Sequence, residues 1–200
     1  MLFENDKPNI IKIINSKISL LQLPAIARLS PFIIGLLLFM RCILATSYNS
    51  IYLFIMYILV VVSNCIAKRF IFKPIYDLYY GKYKTNTIPI LGIGSRPYNG
   101  DDTNDTNDTN DTTFGMPSCH SQVAWFITTY IICKLFYEKL VILIVLFALC
   151  ILLILLAFYI SYSRVYIEKC HTIQQVIIGG ILGIIAGLII FFVEYNLIVL

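Results

Sequence analysis

The sequence predicts an all-α fold: a polytopic membrane helix bundle of about five transmembrane helices, preceded by an interfacial amphipathic helix. Three observations predict it. The 200 residues are 59% hydrophobic and only 13% charged, against about 25% charged in a soluble domain. The apolar residues fall in runs, and runs of about 17–25 residues suit a bilayer. The polar residues collect between those runs, and the only long hydrophilic stretch is 68–116. The net charge of +4 is too modest to argue for nucleic acid, and no such partner is expected. The six cysteines include no CxxC pair. Cys42, Cys65, Cys133 and Cys150 lie in or beside apolar runs, where cysteine acts as a small hydrophobe, so no zinc site is expected.

In chain order, residues 1–9 are polar. From Asn9 to about Leu23, apolar Ile11, Ile14, Ile18 and Leu21 recur at helical spacing with Lys12 and Lys17 off the stripe, the pattern of a helix lying in the interface. No small-residue cleavage site follows, so a signal peptide is not expected. The first span begins between Leu23 and Pro31 and runs to about Ala45, with Arg41 near its end placed to snorkel. Ser47 to Ser50 form a turn, and the second span covers roughly Ile51 to Ala67. Within the hydrophilic stretch, three copies of Asn-Asp-Thr fall between Asp101 and Thr112 and carry five of the eleven acidic residues. With no apolar content they predict a solvated insert. Asn104, Asn107 and Asn110 each begin an Asn-X-Thr sequon, which reads either as a glycan acceptor in a lumenal loop or as neutral repeat expansion. The third span starts near Ser118 and ends by Tyr137, and the fourth covers Leu140 to about Tyr162. A polar segment, Ser163–Thr172, precedes the fifth span, from about Ile173 to Ile198. Gly179, Gly183 and Gly187 recur every four residues there, a stripe that lets a neighbouring helix approach closely. The organisation is an N-terminal segment, 1–28, and a membrane domain, 29–200, with 73–93 and 99–113 as loop inserts.

Two spans separate the 68–116 stretch from the 163–172 segment, so both face one side of the membrane. Three polar clusters therefore share that face: Lys68 with Arg96-Pro97, the stretch Gly115-Met116-Pro117-Ser118-Cys119-His120-Ser121-Gln122, and Ser163-Arg164 with His171. Arginine offers a bidentate fork to phosphate and lysine a point charge. The chain has only two histidines, and both stand at span ends, where an imidazole reaches water and headgroup. Together the clusters predict an oxyanion site.

Arg96-Pro97, Pro117-Ser118-Cys119-His120, and Ser163-Arg164 with His171 resemble the three signatures of the type 2 phosphatidic acid phosphatase superfamily, which read K-x6-RP, PSGH and SR-x5-H-x3-D. The closer resemblance is to its dolichyl diphosphatase branch. GMPSCHSQVAWF is similar to that branch's GMPSSHSQ and aromatic-rich helix, and SYSRVY followed by HTIQQVIIGG is similar to its SRVY…HT..QV..GG. LSPF near residue 29 and NCIAK ending at Lys68 are also similar. The likeness covers about residues 29–190 outside an insert.

Three departures stand out. Pro89 holds the place of the first signature's lysine; treating 73–93 as an insertion restores the spacing from Lys68, with Lys84 the alternative. Six residues separate Arg164 from His171 where the family has five, and in a continuous helix one extra residue turns His171 by about 100°. Gln175 stands where the signature has Asp, as it does in the dolichyl branch.

The resemblance implies a metal-independent membrane phosphatase that needs no cofactor. His171 would attack the terminal phosphorus and form a phosphohistidine, its ring oriented by the Gln175 carbonyl. His120 would protonate the leaving group and then activate water. Lys68, Arg96, Arg164 and the Ser118 hydroxyl would hold the phosphate oxygens. The implied substrate is a polyprenyl diphosphate, dolichyl diphosphate, at the lumenal face of the endoplasmic reticulum membrane. Lys and Arg are concentrated on the cluster face, which the positive-inside rule would make cytoplasmic, but most of those charges have a substrate role or lie in a long loop. Two other readings remain: a phosphatase for another lipid phosphate, such as phosphatidate or a sphingoid-base phosphate, and a membrane scaffold that kept the fold without activity.

Overall fold

The computed structural model describes residues 10–75, 115–138 and 142–199, with side chains for 25–75, 115–138 and 142–197. Lys84, Arg96 and the Asn-Asp-Thr repeat lie outside those residues. Five helices make up the described chain: α1 (Ile10–Ala45), α2 (Tyr48–Ile66), α3 (Cys119–Glu138), α4 (Leu143–Tyr162) and α5 (Ile173–Val199). Two of them continue into wider π-helical turns, α2 through Ala67–Phe72 and α4 through Ser163–Ile167. No strand occurs among the described residues, and the helix bundle read from the sequence is the architecture observed.

The chain departs from expectation at its start. The interfacial stretch and the first span are one helix, α1, unbroken from Ile10. Pro24 and Pro31 fall inside it. Each removes one backbone donor, and neither ends the helix. Residue 28, the expected boundary of the N-terminal segment, is therefore mid-helix. Tyr57 of α2 grips α1 beside the second proline, its hydroxyl donating to the Pro31 carbonyl at 2.6 Å. Ser47 caps α2, its hydroxyl accepting from the Ser50 amide, which fits the turn read at 47–50. Arg41, expected to snorkel, is exposed and donates to the Ser50 hydroxyl at 3.3 Å.

Four stretches are long and apolar enough to cross a membrane: Ala25–Ala45, Tyr48–Ile75, Leu143–Ile167 and Ile173–Leu197. Helix α3 has 20 residues, about 30 Å of rise, but it is the more polar one. The reason is its position. From Cys119 to Leu135 every side chain is buried or half-buried, because the other helices surround it. The lipid-facing apolar surface belongs to its neighbours, as Phe32 (79% exposed) and Ile144 (80%) illustrate. Phe126 and Val123 of α3 are fully enclosed and pack with Tyr52, Leu53, Tyr57 and Val60 of α2 and Ile190 of α5.

Helices α3 and α5 form the closest pair. A Cβ placed at Gly179 would come 2.5 Å from the Ser118 carbonyl oxygen, and one at Gly187 would come 2.8 Å from that of Phe126. Gly183 lies against the carbonyl of Gln122. The glycine stripe thus packs on the α3 backbone at residues 118, 122 and 126, one contact per turn, which is the close approach its spacing predicts. Ser121 stitches the same surface, donating to the Val176 carbonyl at 2.8 Å. It also meets the Ser161 hydroxyl of α4 at 3.1 Å.

Candidate active site

The α3–α5 pair sets the two histidine-bearing segments against each other. Where the chain enters α3, the Ser118 amide donates to the Gln175 carbonyl at 3.0 Å, so the Pro-Ser-Cys-His segment rests on the first turn of α5. Gly115 is needed for this fit: a Cβ there would overlap the Gln175 carboxamide. Asn64 of α2 closes the third side, donating to Gln122 Oε1 at 2.5 Å and to the Pro117 carbonyl at 3.5 Å.

Thr172 begins α5 with a capping box. The Gln175 amide donates to Thr172 Oγ1 at 3.3 Å, and the Thr172 amide donates back to Gln175 Oε1 at 3.3 Å. The same Oε1 lies 2.9 Å from His171 Nδ1. This fixes two assignments that coordinates alone leave open. A backbone N–H can only donate, so the capping atom of Gln175 is its oxygen. That oxygen can only accept, so His171 Nδ1 carries the hydrogen. Gln175 Oε1 thus contacts both the His171 ring and the amide of the helix cap.

His120 is held in the opposite sense. Its Nε2 lies 2.9 Å from the backbone carbonyl of Arg28 on α1, an acceptor, so Nε2 carries the hydrogen. The two rings are therefore held through different nitrogens.

Arg164 is 6% exposed in the π turn after α4. Its Nη1 donates to Glu168 Oε2 four residues on. Glu168 is itself buried, accepting from Ser163 Oγ at 3.3 Å and from Arg28 Nε at 3.2 Å. One carboxylate thus joins two guanidinium groups. Among the described residues, Arg164 Nε and Ser118 Oγ are buried side-chain donors with no hydrogen-bond partner. Orphaned buried donors are costly and rare; Ser30 Oγ is a third one, while these two belong to residues expected to hold phosphate.

The extra residue between Arg164 and His171 is absorbed by backbone geometry. The Glu168 amide reaches the Ser163 carbonyl at 2.8 Å, a π-type bond. Lys169 then takes a left-handed φ of 52°, and the amides of Cys170 and His171 both turn back to the Arg164 carbonyl at 3.1 and 3.2 Å.

Five of the expected site residues, Ser118, His120, Arg164, His171 and Gln175, are thus linked at one end of the bundle. Lys68 is half-buried in the π turn after α2, one turn beyond Asn64. Arg96 and the alternative Lys84 lie outside the described residues. Sequence reading missed Arg28, Asn64, Glu168 and Thr172. Two had a signal: Thr172-x-x-Gln175 is a capping-box spacing, and Glu168 is four residues from Arg164.

No curated protein and no solved structure matches the chain. The family model of the PAP2 superfamily matches residues 49–198, a stretch that contains both histidines, Arg164, Ser118, all of α3 and all but the last residue of α5. The chain belongs to the PAP2 superfamily, whose general activity is that of a membrane lipid phosphatase.

Proposed function

We propose that this protein hydrolyses a polyprenyl diphosphate, dolichyl diphosphate, to the monophosphate and inorganic phosphate. The observation that carries the reading is the 2.9 Å contact of His171 Nδ1 with Gln175 Oε1. With Nδ1–H donated to Gln175 Oε1, Nε2 is the nucleophile. It forms an N–P bond to the terminal phosphorus while the bridging P–O bond breaks. His120, protonated at Nδ1, gives its proton to the departing lipid phosphate and then takes one from the water that cleaves the N–P bond. Arg164, Ser118, Lys68 and Arg96 hold the phosphate oxygens as charge moves onto them.

Gln175 supports a diphosphate substrate on chemical grounds. A carboxamide orients His171 but does not stabilise its imidazolium as a carboxylate would. The deficit is tolerable when the leaving group is a phosphate monoester, which is far less basic than an alkoxide. The GMPSCHSQ stretch and Gln175 favour the dolichyl branch over phosphatidate or sphingoid-base substrates. That substrate places the protein in the endoplasmic reticulum membrane with a lumenal site, recycling the carrier of N-glycosylation.

The test is phosphate release from dolichyl diphosphate by purified protein in excess EDTA. Wild type is expected to turn over and His171→Ala to be folded and inactive. Full activity in that variant would sink the mechanism, and release from phosphatidate but not from the diphosphate would sink the substrate.

A further inference from the structure

The site described above has more arginine than its signatures supply. Arg28 stands on α1, outside the matched residues 49–198, yet two contacts tie it to the chemistry. Its backbone carbonyl holds Nε2 of His120 at 2.9 Å, and its side-chain Nε lies 3.2 Å from Glu168 Oε2, the oxygen that also receives Arg164 Nη1. Arg28 therefore sits between the ring expected to protonate the leaving group and the guanidinium expected to hold the transferred phosphate. Its own side chain is 69% exposed, whereas that of Glu168 is 4% exposed. An arginine has five N–H donors in a rigid fork, and the Glu168 contact engages Nε alone. The rest of the group stands at the rim of the site.

Glu168 sets the geometry on both sides. It takes Nη1 of Arg164, which lies on the side of the guanidinium away from the Nε–H. The side-on fork of Nε and Nη2 is what Arg164 presents to an oxyanion, and its buried Nε has no partner among the described residues. The same carboxylate holds Arg28 beside His120. A terminal phosphate at Arg164 and His171 would put the next phosphate of a diphosphate on the His120 side, where Arg28 is. A lipid monophosphate carries no second anionic group there.

We propose that Arg28 is a specificity-determining residue that binds the non-transferred phosphate of a lipid diphosphate. The inference rests on the lipid-diphosphate reading above. Arg28 pairs with the bridging and non-bridging oxygens that gain charge as the P–O bond breaks, while His120 delivers the proton. Charge-assisted hydrogen bonds of this kind are worth about 1.5–3 kcal/mol, which converts to roughly 10- to 100-fold.

The experiment compares a short-chain polyprenyl diphosphate with the matching monophosphate, and inorganic pyrophosphate with inorganic phosphate as competitive inhibitors. In Arg28→Gln, kcat/KM for the diphosphate should fall at least about tenfold more than that for the monophosphate. Inhibition by pyrophosphate should weaken more than inhibition by phosphate, and Arg28→Lys should restore part of both differences. Equal losses on both substrates would mean that Arg28 acts only through Glu168 and Arg164, and would overturn the proposal. So would equal retention. Arg28 is exposed, and a melting curve like that of wild type checks that the variant folds. If wild type itself releases phosphate from neither substrate, the reading of function fails before Arg28 is tested.

Discussion

Replacing Gln175 with alanine removes one oxygen that serves two buried donors, His171 Nδ1–H at 2.9 Å and the Thr172 amide at 3.3 Å. Both residues are enclosed, His171 at 2% exposure and Thr172 at 0%, so water does not replace the lost acceptor without rearrangement. A buried donor left unpaired costs about 1–3 kcal/mol. The backbone contacts of residue 175, its amide to Thr172 Oγ1 and its carbonyl to the Ser118 amide, survive the change. Two orphaned donors then amount to a destabilisation of about 2–4 kcal/mol at the lower part of that range, or a drop in Tm of roughly 4–16 °C for a chain of this size. Activity should fall further than stability. Without the carboxamide the His171 proton is shared between the two ring nitrogens and the ring can rotate. A misplacement of about 1 Å in a reacting group costs roughly 100-fold. Gln175→Glu keeps one oxygen for both donors and should stay within about tenfold of wild type. Gln175→Asn, shorter by one methylene, should behave like alanine. Phosphate release from a lipid diphosphate in detergent measures the rate, and intrinsic-fluorescence melting measures the fold. Full activity in Gln175→Ala would refute the tautomer argument, as would a folded Gln175→Glu that is as inactive as alanine.

Two further outcomes follow from the bundle. Gly183→Val puts a branched side chain against the Gln122 carbonyl and Phe126 N, the latter 3.0 Å from the first added carbon. Overpacking of this kind costs about 1–3 kcal/mol, so Tm should fall and activity with it; an unchanged Tm would show that α3 and α5 are not held at this distance. At the far end of the bundle, Lys134 Nζ contacts Glu194 Oε1 at 2.5 Å, and Tyr130 donates to Glu194 Oε2 at 2.5 Å. Glu194→Leu alone leaves Lys134 without its nearest carboxylate and should cost about 3 kcal/mol, the lower end for a broken buried pair because Lys134 also reaches Glu138. Joining it with Lys134→Met should recover part of that loss in a melting-temperature cycle, the Tyr130 hydroxyl still lacking its acceptor, whereas additive losses would refute the pairing.

The sequence made the spans legible because a bilayer demands length and apolarity together, and α4 and α5 satisfy both without interruption. It made the α3–α5 contact legible because glycine at every fourth position has one structural use in an apolar helix. The contact of Gln175 with His171 was readable because four residues place two side chains on one helix face. Other features were hidden for physical reasons. Pro24 and Pro31 look like breaks, yet a helix tolerates the loss of single donors when neighbours pack against it, as Tyr57 does at Pro31. Arg28 reads as an ordinary charge near a span end. Its place beside His120 comes from the packing of α1, which no local pattern encodes. Glu168 had a local partner in Arg164 four residues before it, but its second arginine, Arg28, is 140 residues away in the chain.

The offset before His171 is where residue counting and geometry part company. Counting along α4 assumes that His171 inherits its direction from Arg164, and then one added residue is a rotation of about 100°. The structure gives His171 a different origin. The α4 helix has widened into π turns by Ser163 and reverses at Lys169, so helical phase is lost before residue 170. His171 is held from the other side, by Gln175 and by the capping box that starts α5. An extra residue in the reversal lengthens a turn and leaves the ring where α5 puts it. The separation between Arg164 and His171 is then a loose constraint, met here by two amides converging on the Arg164 carbonyl. The separation between His171 and Gln175 is a strict one, because one oxygen must reach both the ring and the helix cap. This chain changes the loose spacing and keeps the strict one.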